Sequence, residues 1–351
     1  MPEITFDSSE SELIFLNPFN NFAEETHTVT ARRDPLLGDV SVYNPRLKDK
    51  VKFFFGDCDI GLVDKLIEDS VKNCIFCGDM IEKSTPRYPP NLVPEGRIKT
   101  GEAVLFPNLF PIGKYHSVIR LSRAHFLKLS EFKPDIIENG LKAAQTFVNL
   151  VYHHDPSALF VAVNANYLFP AGATLVHPHL QMLITPTAYS YHERLIQASH
   201  SYYQEHGSEF YLDLIEEEKR KGERYIAQSG EWHWLTAFSP MGNNEVIAIH
   251  EAESDFGLLS ETDLRNVAKG ISRVLSFYES LGHLSFNSSI FSVRRASSQK
   301  GFRCLLKIIS RQNPHPNYRN DDYFLQKLLH SELIINLPEE LASGLRPYFQ
   351  R

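Results

Sequence analysis

Three features of the sequence predict an α+β fold of two related halves, mainly antiparallel sheets with flanking helices. Strand-like apolar runs alternate with amphipathic helical stretches, and the same order of elements occurs twice. In addition, VIRLSRAHFLKLSE (Val118 to Glu131) resembles VIAIHEAESDFGLLSE (Val246 to Glu261), each a strand that turns into a Leu-Ser-Glu helix approach. The chain of 351 residues is longer than one minimal module, and 42% hydrophobic residues suffice for a sizeable core. The halves are expected at 1–187 and 188–351.

In the first half, strands are expected at Ala103 to Asn108, His116 to Ser122, Ala158 to Asn166 and Leu180 to Thr185. Between the second and third lies DIIENGLKAAQTFVNLVYHH, whose Ile136, Ile137, Leu141, Ala144, Phe147, Val148 and Val151 recur at helical spacing. Two helices, Ala188 to His206 and Phe210 to Gly222, lead into the second half. The run EEEKRKGER (Glu216 to Arg224) reads as a solvated helix end. Strands follow at Trp232 to Phe238, Glu245 to His250, Ser288 to Val293 and Arg303 to Ser310. The helix among them starts at Ser260, where Ser260 and Asp263 suit a capping box, and runs through Leu264, Val267, Ile271, Val274 and Phe277.

Composition narrows the function. Thirty-six basic against forty-three acidic residues give a net charge of −7, which offers no global attraction to nucleic acid. No stretch reaches eighteen uninterrupted apolar residues and the N-terminus lacks the pattern of a secretory leader, so no membrane partner and a cytoplasmic location are expected. The four cysteines, Cys58, Cys74, Cys77 and Cys304, show no dense disulfide pattern. Neither a Walker-type glycine loop nor a Rossmann fingerprint is present.

The most informative segment is AGATLVHPHLQMLITP (Ala171 to Pro186), with His177, His179 and Gln181 two residues apart. On an extended strand these three point to one face, and Pro178 places the stretch at a sheet edge or a strand entrance. A neutral imidazole is an available nucleophile near neutrality, so His179 can attack phosphorus with one ring nitrogen while the other keeps its proton on a fixed acceptor. The Gln181 amide can then hydrogen-bond a nonbridging phosphoryl oxygen. Upstream, Cys74 and Cys77 form C-I-F-C, a pair common at tetrahedral zinc that needs two more ligands. The preferred candidates are His125 and His177, with His116, His153 and His154 competing.

HPHLQ and the C-x-x-C pair, together with RRDPLLGDVSVYNPR (Arg32 to Arg46) and HWLTAFSP (His233 to Pro240), resemble the galactose-1-phosphate uridylyltransferase family. That family belongs to the histidine triad superfamily and includes ADP-glucose phosphorylase-like members. The resemblance implies two histidine-triad-like halves, a homodimer, and ping-pong transfer of a nucleoside monophosphate from a nucleotide sugar to a sugar 1-phosphate or phosphate. By motif position His179 would be the nucleophile and Gln181 the phosphoryl contact. Asn166, Arg46 and Thr174 would bind nucleotide or phosphate, and Cys74, Cys77, His125 and His177 would hold a structural zinc.

The departures matter too. The strand matching the family's second metal motif reads GFRCLLKIIS (Gly301 to Ser310) without a histidine, so a second metal is doubtful and the second half is expected to be catalytically silent. Ala173, Thr174, Leu175 and Val176 stand before HPH where the uridylyltransferases have cysteine, serine, asparagine and proline, and Leu180 replaces their glycine. These changes lean toward the phosphorylase-like members. An ADP-sugar or dinucleotide phosphorylase or hydrolase is therefore the second enzymatic reading, and a nucleotide-binding scaffold the non-enzymatic one.

Overall fold

Two apolar-faced helices and a run of short antiparallel strands, each buried on one side, build the centre of the molecule. The computed structural model describes residues 2–50, 59–295, 297, 300–316 and 322–350; Cys58 lies outside them. The described residues form an α+β structure with two sheets. Strands β1 (Ser8–Asn17), β2 (Ala23–Arg33) and β3 (Val40–Tyr43) form the smaller sheet with β14 (Ser331–Ile334), which runs parallel to β3. This sheet has no counterpart among the strands expected from sequence.

The larger sheet has ten strands. From one edge come β4 (Ile98–Thr100), β5 (Ala103–Pro107), β6 (Tyr115–Arg120), β8 (His179–Thr185) and β7 (Phe160–Tyr167). From the other come β9 (Tyr225–Ser229), β10 (Trp232–Thr236), β11 (Val246–His250), β13 (Leu305–Ser310) and β12 (Phe286–Val293). The order is the same read inward from either edge, and the halves join where β7 pairs with β12, antiparallel, with Asn164 opposite Ser289.

The helices Pro134–His154 and Glu261–Ser280 cover one face of this sheet. The first buries Ile137, Leu141, Ala144, Phe147, Val148 and Val151, the stripe that helical spacing picks out. The second starts at the expected capping box: the Ser260 hydroxyl accepts from the Asp263 N–H at 3.1 Å, and the Asp263 carboxylate accepts from the Ser260 N–H at 2.9 Å. Both helices and both strand sets share one core. On the opposite face the helices Ser190–His206 and Phe210–Lys221 pack Leu195, Ile196, Phe210 and Leu214 against Leu235, Ile247 and Leu305 of the second strand set, and the central strands beside them line a cavity.

Strand β8 lies between β6 and β7, and Pro178 stands at its entrance, the second of the two placements expected for it. Pro178 is accommodated because it precedes the strand, where its carbonyl accepts from the Leu121 N–H and no ladder donor is missed. The Glu216 to Arg224 run is not merely solvated: Glu218 and Arg224 are both buried and pair at 2.8 Å, and Arg224 also reaches Glu339 at 2.9 Å. Among the described residues no helix is long and apolar enough to cross a membrane.

Candidate active site and metal centre

Side-chain alternation on the central strands sets the site. In β7, Val161, Val163, Ala165 and Tyr167 are buried, while Ala162, Asn164 and Asn166 face the other way. Gln181 of β8 pairs with Asn164, and Asn287 of β12 pairs with Asn166. These polar residues line a cavity of about 450 Å³ that spans the junction of the halves.

The amide of Gln181 is oriented from the neighbouring strand. The Ile112 N–H donates to His116 Nδ1 at 3.2 Å, so that nitrogen is the acceptor and Nε2 carries the proton. His116 Nε2 then donates to Gln181 Oε1 at 2.9 Å. With its carbonyl oxygen engaged, Gln181 keeps its NH₂ for a ligand. Burial lowers the His116 pKa, which suits this neutral tautomer.

Asn166 is held in the same way. Its Oδ1 accepts from Asn287 Nδ2 at 2.7 Å, and Asn287 Oδ1 accepts from Arg311 Nη1. A donor is again left for the cavity.

His179 opens β8 beneath Phe76, their ring centroids 5.6 Å apart. Its Nδ1–H donates to the His177 carbonyl at 2.8 Å, so Nε2 holds the lone pair. Burial lowers its pKa and keeps the ring neutral. The ring is 8% exposed and stands outside the lining of the 450 Å³ cavity, at the end of the row that Gln181 continues into it.

Cys74, Cys77, His125 and His177 bring their donor atoms within 4.8 Å of one another. Cys77 Sγ lies 3.3 Å from His125 Nδ1 and 3.4 Å from His177 Nδ1, and Cys74 Sγ lies 3.5 Å from His177 Nδ1. Both rings spend their other nitrogen elsewhere. His177 Nε2–H donates to the Ser122 carbonyl at 2.8 Å, and His125 Nε2–H donates to Ser70 Oγ at 2.8 Å, whose own proton goes to the Ile67 carbonyl. Each Nδ1 therefore turns a lone pair toward the two sulfurs. A two-sulfur, two-nitrogen set with outer hydrogen bonds that fix the tautomers fits a tetrahedral metal ion. The competing histidines are elsewhere: His116 serves Gln181, and His153 and His154 end a helix as exposed residues.

Two expected contacts are not brought to this cavity. Arg46 lies beyond β3 in the short helix Pro45–Lys50, 63% exposed, with a 3.8 Å contact to Glu25. The Thr174 side chain is exposed in the turn before β8. In both cases the local backbone belongs to a surface segment. Conversely, Asn287, Ser289 and Lys307 line the cavity and escaped the sequence reading. The alternation of Asn287 and Ser289 in FNSSIFSV was the available signal.

The fold is that of the galactose-1-phosphate uridylyltransferase family. An ADP-glucose phosphorylase from Arabidopsis thaliana, solved with bound ADP-glucose, superimposes with a TM-score of 0.69 over 91% of this chain and 98% of that one, at 18% identity. A GalT-like protein from Arabidopsis thaliana gives 0.67 over 90% and 98%, also at 18% identity. A uridylyltransferase mutant gives 0.64 over 91% and 97%, at 15% identity. No protein-family model matches the chain. The chain belongs to one family with an uncharacterized protein of Archaeoglobus fulgidus, 33% identical over 324 residues, which are 92% of this chain and 93% of that protein.

Proposed function

We propose that the protein is a nucleotidyltransferase that moves a nucleoside monophosphate from a nucleotide sugar to a sugar 1-phosphate or to phosphate through a nucleotidyl-His179 intermediate. The observation that carries this reading is the neutral His179, its Nδ1–H fixed on the His177 carbonyl, followed on the same face of β8 by an oriented Gln181 amide.

In the first step the Nε2 lone pair attacks the α-phosphorus. A P–N bond forms, and the P–O bond to the sugar phosphate breaks with its electron pair on the departing oxygen. In the second step an acceptor phosphate oxygen attacks the same phosphorus, the P–N bond breaks, and the neutral imidazole returns. The Gln181 and Asn166 amides donate to nonbridging oxygens as charge shifts among them.

Cys74, Cys77, His125 and His177 would hold a structural zinc. An ion bound there would brace the backbone that presents His179, because His177 would be one of its ligands and the His177 carbonyl accepts from His179 Nδ1. The ten-strand order, identical from either edge, supports an origin of residues 1–187 and 188–351 by duplication. The ADP-glucose bound to the Arabidopsis phosphorylase supports a nucleotide sugar as donor.

The test is a label-transfer experiment. Incubation with nucleotide sugars labelled at the α-phosphorus should leave acid-labile label on the wild-type protein and none on His179→Gly, and acceptor should discharge it. A turnover-competent preparation that never carries label would refute the covalent route.

A further inference from the structure

The row that contains Gln181 continues across the junction. Gln181 pairs with Asn164, Asn164 with Ser289, and Ser289 with Lys307 on β13. Directly paired residues share a face, so all four point into the same cavity, whose lining includes each of them. The row is symmetric outward as well: Val118 of β6 lies opposite Gln181, and Ile247 of β11 lies opposite Lys307. Lys307 is the second half's counterpart of Gln181.

The supporting partner is matched too. His116, two residues before Val118, holds Gln181. Glu245, two residues before Ile247, holds Lys307, with Nζ to Oε1 at 2.7 Å. Glu245 is buried, and its other oxygen accepts from the Met241 N–H. The second half has thus kept the cross-strand wiring and exchanged a neutral amide for an ammonium group.

The charge pattern of the cavity gives this meaning. Among the described residues that line it, Lys307 is the one Lys or Arg, and none is Asp or Glu. An adjoining cavity of about 230 Å³ also touches Lys307, but against Lys307 and Arg194 it carries four acidic residues, Asp34, Asp39, Asp322 and Glu332, an excess that disfavours an anion there. Strands lie about 4.8 Å apart and three such spacings separate β8 from β13; Gln181 is held outward by His116 and Lys307 outward by Glu245, so the two side chains serve separate groups.

Resting on the nucleotidyl-transfer reading, we propose that Lys307 anchors a second anionic group of the ligand, remote from the phosphoryl group at Gln181. The substrate class is then a nucleotide conjugate that carries an additional carboxylate or phosphoryl group beyond the bond that is cleaved. Lys307 supplies the charge and Ser289 lines the row beside it, while Glu245 fixes where the ammonium stands.

Calorimetric titration of the full-length protein tests this with two ligand pairs, UDP-glucose against UDP-glucuronate and ADP against adenosine 5′-tetraphosphate. Wild type should bind the more highly charged member of one pair about tenfold or more tightly, and the pair that responds tells carboxylate from phosphate. Lys307→Arg should keep the preference and Lys307→Gln should lose it. Because Lys307→Gln leaves Glu245 buried and unpaired, the double variant Lys307→Met with Glu245→Met removes both charges together and should lose the preference as well. A preference unchanged in Lys307→Gln and in the double variant, or no preference in either pair in wild type, would overturn the proposal. Binding is read without turnover: Lys307-dependent binding with no label on His179 defeats the transfer reading alone, and label without Lys307 dependence defeats this one alone.

Discussion

His116 Nε2 donates to Gln181 Oε1 at 2.9 Å across the β6–β8 pair, and this bond decides which end of the Gln181 amide meets a ligand. Removal of an oriented donor to developing charge costs about 100-fold or more in kcat, so Gln181→Ala should fall by that order. His116→Ala leaves the amide present but free to rotate and should cost about tenfold in kcat with little change in KM. His116→Gln, which can still donate to Oε1, should recover part of the rate. Steady-state kinetics on the best donor separate these outcomes, and a His116→Ala variant that changes KM alone would contradict a positioning role.

Among the described residues, Ser70 touches the candidate metal site through His125. Its hydroxyl passes its proton to the Ile67 carbonyl and accepts from His125 Nε2, which turns the Nδ1 lone pair toward Cys77. Outer hydrogen bonds of this kind are worth about 10- to 100-fold in metal affinity. Purified protein should contain about one zinc per chain. Ser70→Ala should weaken zinc binding by about tenfold in a chelator competition, and Cys77→Ser should abolish stoichiometric metal. Equal zinc affinity in Ser70→Ala and wild type would remove the hydroxyl from this role.

The sheet constrains the second long helix at one point. A Cβ on Gly270 would lie 1.8 Å from Cζ2 of Trp234, whose ring is fully buried on β10. Neither the helix nor a buried indole can yield that distance cheaply, so Gly270→Ala should destabilise the protein by about 1–3 kcal/mol despite the better helix propensity of alanine. A Cβ on Gly140 of the first helix would crowd the Leu121 Cδ2 methyl, at 2.3 Å and at the end of a side chain that can turn, and would meet Leu180 Cδ1 at an ordinary 3.6 Å. Gly140→Ala should cost less, and urea unfolding of the two variants gives the comparison.

The cluster of Cys74, Cys77, His125 and His177 was anticipated because a C-x-x-C pair needs two more donors and the family resemblance picked His125 and His177 from five candidate histidines; their donor atoms come within reach of one metal ion. The central strands and the two long helices were legible because each buries one face and shows its period. The polar strands β1 and β2 are half-exposed or exposed along most of their length, so no apolar alternation announced them. His116 looked like a spare ligand, and only the register that sets it opposite Leu183 brings it to Gln181. Lys307 in LLKII was not singled out by the sequence. Its meaning depends on a partner, Glu245, brought near by strand pairing that local letters do not encode.

Buried neutral histidines set the acid limit of the fold. His192 is enclosed by Phe160, Phe291 and Phe302, with ring centroids 5.9, 5.3 and 5.7 Å away, and burial pushes its pKa down to about 4. His283 is likewise lowered to about 4 by burial. Both values lie below the ordinary 6.5, so the unfolded chain binds these protons more tightly than the folded one. Their contribution is complete above about pH 6.5 and is lost progressively as pH falls toward about 4, each worth up to about 3 kcal/mol. Urea unfolding between about pH 7.5 and 4.5 should therefore show falling stability. His192→Phe, which adds a ring to an aromatic cage and removes one titrating site, should flatten that fall by about half of the two-histidine contribution. A His192→Phe protein with the same pH slope as wild type would show that this ring is not held neutral in the native state.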